Sequence, residues 1–380
     1  MKMTAYFDNS ATTMPCEEAV AAAENAMKNS WGNPSSLHAK GTDAEKIVED
    51  ARDAVAAAMH CSSKEIYFTS GGTEADNIAV FGAAERMKRY GKRIVSTEAE
   101  HPAVYEALTK LETEGFEVVR LKPDSSGKIS ESDIYDAVTR DTVLVSIMAV
   151  NNEVGSIMPV RAAKRAAAKA GSPALIHCDA VQAFGKTDIR PSLLGADLIT
   201  ISAHKIHGIK GAGALYIGKD VKIAPHVFGG EQEKKIRPGT QAVPAIAAFG
   251  AAVKALPDIK EEEEKMRALR ARMLSRFEEI GDIVVNSPDD ALPYVTNVSV
   301  LGIKSEPMLN FLSSKGIYVS SGSACARGRQ SRMLKAMGLD AKRLESPVRI
   351  SFSRYTSESE IDYLCDMIEL AKKEIRATAR

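Results

Sequence analysis

The chain has 380 residues, enough for two or three domains, and 44% hydrophobic with 26% charged residues is the mix of a globular protein that buries a large core. Lys+Arg and Asp+Glu both number 50, so a net charge of zero removes the global basic field that nucleic acid or an anionic membrane surface needs. Five scattered cysteines with no C-x-x-C pair (Cys16, Cys61, Cys178, Cys325, Cys365) exclude a disulfide scaffold and fit a reducing, cytoplasmic setting. No apolar run approaches the ~20 residues of a membrane span, and Asp8 interrupts any N-terminal signal-like core.

In chain order, Ala44, Ile47, Val48, Ala51, Ala54, Val55 and Ala58 come first, recurring at steps of three and four on one face of a helix. Short β-branched or aromatic runs follow at 65–69, 93–96, 117–121, 142–147, 174–177, 197–202 and 214–217. Helical stretches at 74–89, 102–114 and 160–170 separate several of them. This alternation predicts an α/β fold of βαβ units around a mostly parallel sheet, its strands apolar on both faces because helices cover both. After about Pro244 the texture changes. One helical region is expected from Ala245 through the acidic cluster 261–264 to Glu279, with Met266, Leu269, Met273, Phe277 and Ile280 facing inward. Strands at 296–301, 317–320 and 348–352 and a last helix at 357–376 predict a smaller α+β unit.

Four segments carry chemistry. Phe68-Thr69-Ser70-Gly71-Gly72-Thr73-Glu74 reads as strand, glycine turn and helix start, a place where free N–H groups can hold a phosphate, although the same residues make an ordinary capped turn. Asp179 ends an apolar strand, with Gln182 just beyond. It either meets a ligand at the sheet's carboxyl edge or caps the next helix, while Cys178 faces away into the core. Ser202-Ala203-His204-Lys205 ends the following strand. A lysine desolvated there becomes a neutral nucleophile, although most lysines are simply exposed. His204 and His207 lack a third ligand at diagnostic spacing, so no metal is expected, and Gly211 with Gly213 is not a dinucleotide fingerprint. Last, 320–332 sets Cys325 among small residues and three arginines that favour a thiolate. A lysine amine, an acid 26 residues before it and an anion cradle are the three groups that pyridoxal phosphate requires.

With these sites the chain resembles the cysteine desulfurases of the NifS/IscS type, class V aminotransferase-like enzymes dependent on pyridoxal 5'-phosphate. The likeness runs nearly end to end. It is carried by Tyr6-Phe7-Asp8-Asn9-Ser10-Ala11-Thr12-Thr13, Gly32-Asn33-Pro34-Ser35-Ser36, 69–77, Glu100-His101-Pro102, 150–155, 177–182, 202–205, Arg237-Pro238-Gly239-Thr240 and 321–325. It implies the PLP-dependent transferase fold type I. A large cofactor-binding α/β domain at 16–257 would be joined by a small α+β domain made of 1–15 and 258–380 that carries the cysteine loop.

The resemblance also implies roles. Lys205 is the Schiff-base lysine and moves the α-proton, Asp179 pairs with the ring nitrogen, and His101 stacks on the ring and takes part in proton transfer. Gln182 and Asn152 contact the ring hydroxyl or the substrate. Gly72, Thr73, Ser202 and His204 hold the phosphate, with Thr240 supplied across a homodimer interface. Arg349 binds the substrate carboxylate with help from Asn33, and Cys325 takes the sulfur of L-cysteine as a persulfide, releasing alanine. A sulfur-acceptor protein such as an iron–sulfur scaffold is the implied partner. The rival readings are a selenocysteine lyase, a class V aminotransferase and a non-catalytic sulfur-relay scaffold. After the cysteine this chain has Ala-Arg-Gly-Arg-Gln-Ser-Arg where many relatives are rich in Ser and Thr, and Pro238 stands where they carry serine.

Overall fold

The computed structural model describes residues 4–322 and 330–378, with side chains up to residue 375. Its strands in chain order are β1 (Ala5–Tyr6), β2 (Ile66–Thr69), β3 (Arg93–Thr97), β4 (Glu117–Leu121), β5 (Thr142–Ser146), β6 (Leu175–Asp179), β7 (Leu198–Ser202), β8 (Gly213–Ile217), β9 (Ile283–Val285), β10 (Val295–Val300), β11 (Ile317–Tyr318) and β12 (Pro347–Ser351). Seven of them form one sheet in the order β2-β8-β7-β6-β5-β3-β4. β8 runs antiparallel to both its neighbours, and the other pairs are parallel. β5, β7 and β8 are buried along their whole length. That is the physical meaning of their unbroken apolar runs: both faces are covered, so no alternation is needed.

The parallel strands align their carboxyl ends. Asp179 at the end of β6 pairs in register with Thr200, two residues before the end of β7 at Ser202. Chemistry-bearing residues that follow these strands therefore gather at one edge, where sheets of this kind bind ligands.

A second, three-stranded antiparallel sheet has the order β12-β10-β9, and β1 pairs in parallel with β11. The N-terminal residues thus join the C-terminal part of the chain, and Asp8 bridges to Ser351. The helical region expected as one unit from Ala245 is instead two helices, Val243–Lys254 and Ile259–Ile280. Pro257 explains the break. It has no N–H to donate and disfavours helical geometry at the residue before it, and Asp258 then caps the new helix by accepting from the Lys260 and Glu261 amides. Among the described residues no helix is long and apolar enough to cross a membrane.

Candidate active site

A cavity of about 270 Å³ opens at the carboxyl edge of the large sheet. Gly72, Thr73, His101, Asn152, Asp179, Gln182, Ser202, His204, Lys205 and Arg349 all line it, so ten residues singled out in the sequence meet in one place. Two do not: Asn33 and Thr240 are exposed on the surface, outside this cavity. Cys325 lies outside the described residues. Ser10, Ala11, Asp76, Met148 and Val181 complete the wall and were not foreseen as site residues.

Each element delivers its residues for a local reason. Gly71 has φ 155°, a backbone shape that side chains disfavour, and it turns β2 into the helix Gly72–Met87. A Cβ on Gly72 would stand 2.8 Å from Val181 Cγ2, so glycine is required for the helix start to sit this close to the end of β6. The first N–H groups of that helix have no intrahelical partner, and the helix dipole favours an anion there. Ser202 and His204 line the same cavity from the end of β7. Ser202 Oγ is buried with no hydrogen-bond partner, an orphan that a ligand would satisfy.

Lys205 follows β7 and donates to the carbonyls of Ser10 and Ala11, the latter at 2.7 Å. Burial pushes its ammonium down to about 7, assisted by the nearby positive charges of Lys186 and Arg349 and opposed by Asp179 and Asp8. Burial thus enlarges the fraction of neutral amine at physiological pH, the form that is able to attack carbonyl carbon. Asp179 Oδ1 accepts from the Val181 amide at 2.9 Å, so this carboxylate both caps the turn after β6 and faces the cavity. Cys178 points the other way and is fully buried, as strand alternation requires.

His101 precedes the helix Pro102–Thr113 and caps it, its Nδ1 accepting from the Ala103 amide at 3.2 Å. Burial, together with the charges of Lys205 and Arg332, lowers it to about 4, so the ring is neutral at the cavity wall. Arg349, on β12, donates from Nη2 to Asp8 Oδ1 at 2.7 Å and from Nη1 to the Asn152 carbonyl at 3.0 Å, while its buried Nε has no partner. Gln182 Nε2 donates to the Ser10 carbonyl at 3.0 Å, and its Oε1 is buried and free to accept. The segment 8–13 thus holds the guanidinium, the amide and the amine at once, which was not legible as a site in the sequence because its contacts are 170 to 340 residues distant.

The donor set fits pyridoxal phosphate: a phosphate cradle with an orphaned hydroxyl, a carboxylate for a ring nitrogen, a neutral amine for an aldehyde, and an unfilled guanidinium N–H beside them. Residues 5–364 match the family model "Aminotransferase class-V". The chain is similar to the cysteine desulfurase IscS of Dictyoglomus turgidum, 36% identical over 99% of this chain and 96% of that protein. It is likewise similar to a putative cysteine desulfurase, IscS 1, of Bacillus subtilis, 39% identical over 91% and 93%. Among solved structures, a NifS-like protein superposes with a TM-score of 0.92 at 37% identity, covering 98% of this chain and 100% of that one. SspA in complex with cysteine superposes with 0.82 at 29% identity, covering 93% and 100%. By its fold, its cavity and these likenesses, the chain belongs to the class V aminotransferase family of pyridoxal-phosphate-dependent enzymes.

Proposed function

We propose that this protein is a cysteine desulfurase that converts L-cysteine to L-alanine and carries the sulfur as a persulfide on Cys325. One observation carries the reading: Lys205, Asp179 and Arg349 line a single cavity in a chain that is 36–39% identical to cysteine desulfurases over at least 91% of its length. Bound pyridoxal phosphate supplies an aldehyde that condenses with amines and a protonated ring that draws electrons from the amino acid's α-carbon.

The chain's own residues do the rest. The helix start at Gly72 and Thr73, with Ser202 and His204, holds the phosphate, and Asp179 holds the ring nitrogen protonated. Arg349 turns its free Nε toward the substrate carboxylate, whose negative charge it matches in a buried site. Lys205, once released, is a neutral amine able to take the α-proton, and neutral His101 can accept a proton beside it. The Cys325 thiolate attacks the substrate sulfur, so that an S–S bond forms as the C–S bond breaks; the carbon keeps that electron pair, takes a proton, and the skeleton is released as alanine. Gly322 is three residues before Cys325, and Ser320 is paired in a bridge with cavity-lining Arg349. A tether of three residues spans up to ~11 Å, which gives the thiol reach into the site.

In this reading 16–257 is the cofactor domain, and 1–15 with 258–380 form the small domain. Asn33 and Thr240, away from their own cavity, serve the partner of a homodimer. Trp31 is 68% and Phe228 85% exposed, apolar surface that such an interface covers. The sulfur passes to an acceptor protein such as an iron–sulfur scaffold in the cytoplasm, a reducing setting that keeps the thiol free. The test is incubation of the cofactor-loaded protein with L-cysteine. Alanine should appear, and the Cys325 peptide should gain one sulfur atom. Pyruvate-type keto acid with an aminated cofactor would make it an aminotransferase instead.

A further inference from the structure

The cavity holds a second carboxyl that the reading above does not use. Asp76 lies on the helix Gly72–Met87, is 1% exposed and lines the same cavity as Asp179. One carboxyl oxygen of each lies within 4.8 Å of the other and of a ring nitrogen of His101. Behind Asp76 runs a file of polar groups across three adjacent strands. Ser146 Oγ is 2.8 Å from His177 Nδ1, and His177 Nε2 is 3.1 Å from Thr200 Oγ1 and 3.6 Å from Asp76 Oδ1. Thr200 in turn hydrogen-bonds the Asp76 carboxyl. Asp76 Oδ1 itself is buried with no hydrogen-bond partner.

The groups that face Asp76 from the surrounding elements are Asp179 and His177 on β6, Glu100 and His101 after β3, and Lys205 after β7. None neutralises a second negative charge. His177 and His101 are kept uncharged by burial. Glu100 is itself a carboxyl, and the Lys205 amine is spent on the Ser10 and Ala11 carbonyls. The two aspartates are not equivalent. Burial raises Asp179 too, to about 6, but its Oδ1 accepts the Val181 amide N–H, which holds that rise in check, whereas Asp76 has an oxygen with no donor at all. Burial, then repulsion from Asp179, raises Asp76 well above the ordinary carboxyl range. An orphan oxygen is the costlier one to ionise, so the proton belongs there.

We propose that Asp76 and Asp179 hold one proton between them, Asp76 as the acid and Asp179 as the anion, making Asp76 a positioning residue that fixes a single negative charge at the cofactor's ring nitrogen. This rests on the pyridoxal-phosphate reading of the cavity, and two measurements separate the two. The first needs no cofactor. An infrared difference spectrum at pH 7, wild type minus Asp76→Asn, should show the carbonyl band of a protonated carboxyl; a carboxylate band in its place overturns the proposal. The second follows the visible absorption of the bound cofactor against pH, with the melting temperature of each variant alongside. Asp76→Asn, neutral and of the same shape, should titrate within about 0.3 units of wild type, and Asp76→Ala should move by about one unit or more, the size of a lost local interaction of ordinary strength. If Asn shifts as far as Ala, Asp76 acts as a charge and the proposal falls. It falls equally if Ala titrates like wild type. A wild-type protein that takes up no chromophore refutes the cofactor reading instead, and leaves the infrared result to decide where the proton sits.

Discussion

Glu100, next to His101, is 2% exposed, and burial pushes its carboxyl up to about 8 against the pull of the Met148 amide and the Thr97 hydroxyl that it accepts from. In the unfolded chain it ionises near 4.5. Between these values the folded state holds a proton that the unfolded state has lost. Its contribution is therefore full below about 4.5 and declines as pH rises toward about 8. Glu100→Gln keeps the accepting oxygen and removes the titration. Denaturant unfolding at a series of pH values should show the variant gaining on wild type across that window, by up to a few kcal/mol; a difference that is flat with pH would show that Glu100 ionises normally. Arg349 is the other case where one atom decides. Its planar fork meets Asp8 and Asn152 together and, in the proposed reading, leaves Nε for an incoming carboxylate, where lysine presents a single point charge. Arg349→Lys should raise KM for L-cysteine about tenfold or more, one charged hydrogen bond being worth ~1.5–3 kcal/mol, with a smaller change in kcat.

Among elements, the short helix Arg332–Ala336 is fastened to the large sheet's edge by its first residue. The Arg332 guanidinium carbon lies 3.6 Å from the Tyr105 ring centroid, its Nη2 donates to the Glu100 carbonyl, and Arg120 approaches the same ring at 4.6 Å. Arg332 thus ties the chain that follows the Cys325 segment to the turn bearing His101. Arg332→Ala should cost about 1–2 kcal/mol in urea unfolding, the range of a partly desolvated cation–π contact, and an unchanged midpoint would mean that the stack contributes nothing. Two further helices pack against each other through small residues. Ala51 on the helix Ala39–Met59 meets Gly250 on the helix Val243–Lys254 so closely that a Cβ on Gly250 would lie 2.7 Å from the Ala51 Cα. Gly250→Val should therefore lower stability by about 1–3 kcal/mol through overpacking, read from the melting temperature with the cofactor cavity left untouched.

At the scale of the molecule, two sheets converge on one cavity. The seven-stranded sheet and the turns after its strands supply Gly72, Ser202, Asp179 and Lys205. The three-stranded sheet supplies Arg349, and the N-terminal segment 8–13 straps the two sides together. The site thus exists only when segment 8–13 lies against β12. The exposed Trp31 and Phe228, and the distance of Asn33 and Thr240 from their own cavity, make the molecule incomplete as a monomer in the proposed reading. Sedimentation should give a dimer. Trp31→Glu combined with Phe228→Glu should shift it toward monomer and speed loss of the cofactor on dialysis; a monomeric wild type that retains its cofactor would contradict this.

The sequence by itself determined the strands of the large sheet and the carboxyl-edge placement of Asp179, Ser202 and Lys205, because periodicity and strand polarity are local properties that burial simply selects; β1 and β9, two and three residues long, carry no such pattern. Local motifs marked Gly72, Thr73, Asp179, Gln182, Ser202, His204 and Lys205 for the same reason, since they sit at or just after strand ends and a helix start, whereas His101, Asn152 and Arg349 were marked only by the resemblance to a family. Only the tertiary structure decided that Asp76, Ser10 and Asp8 belong to the site. A carboxylate on a helix or in a turn reads as a solvated charge until long-range packing removes its water. The break at Pro257 lay between these cases: its local signal was present, and the apolar spacing on both sides concealed it. What tertiary packing added throughout was desolvation, which pushes the Lys205 ammonium down and the Asp76 carboxyl up from their ordinary values.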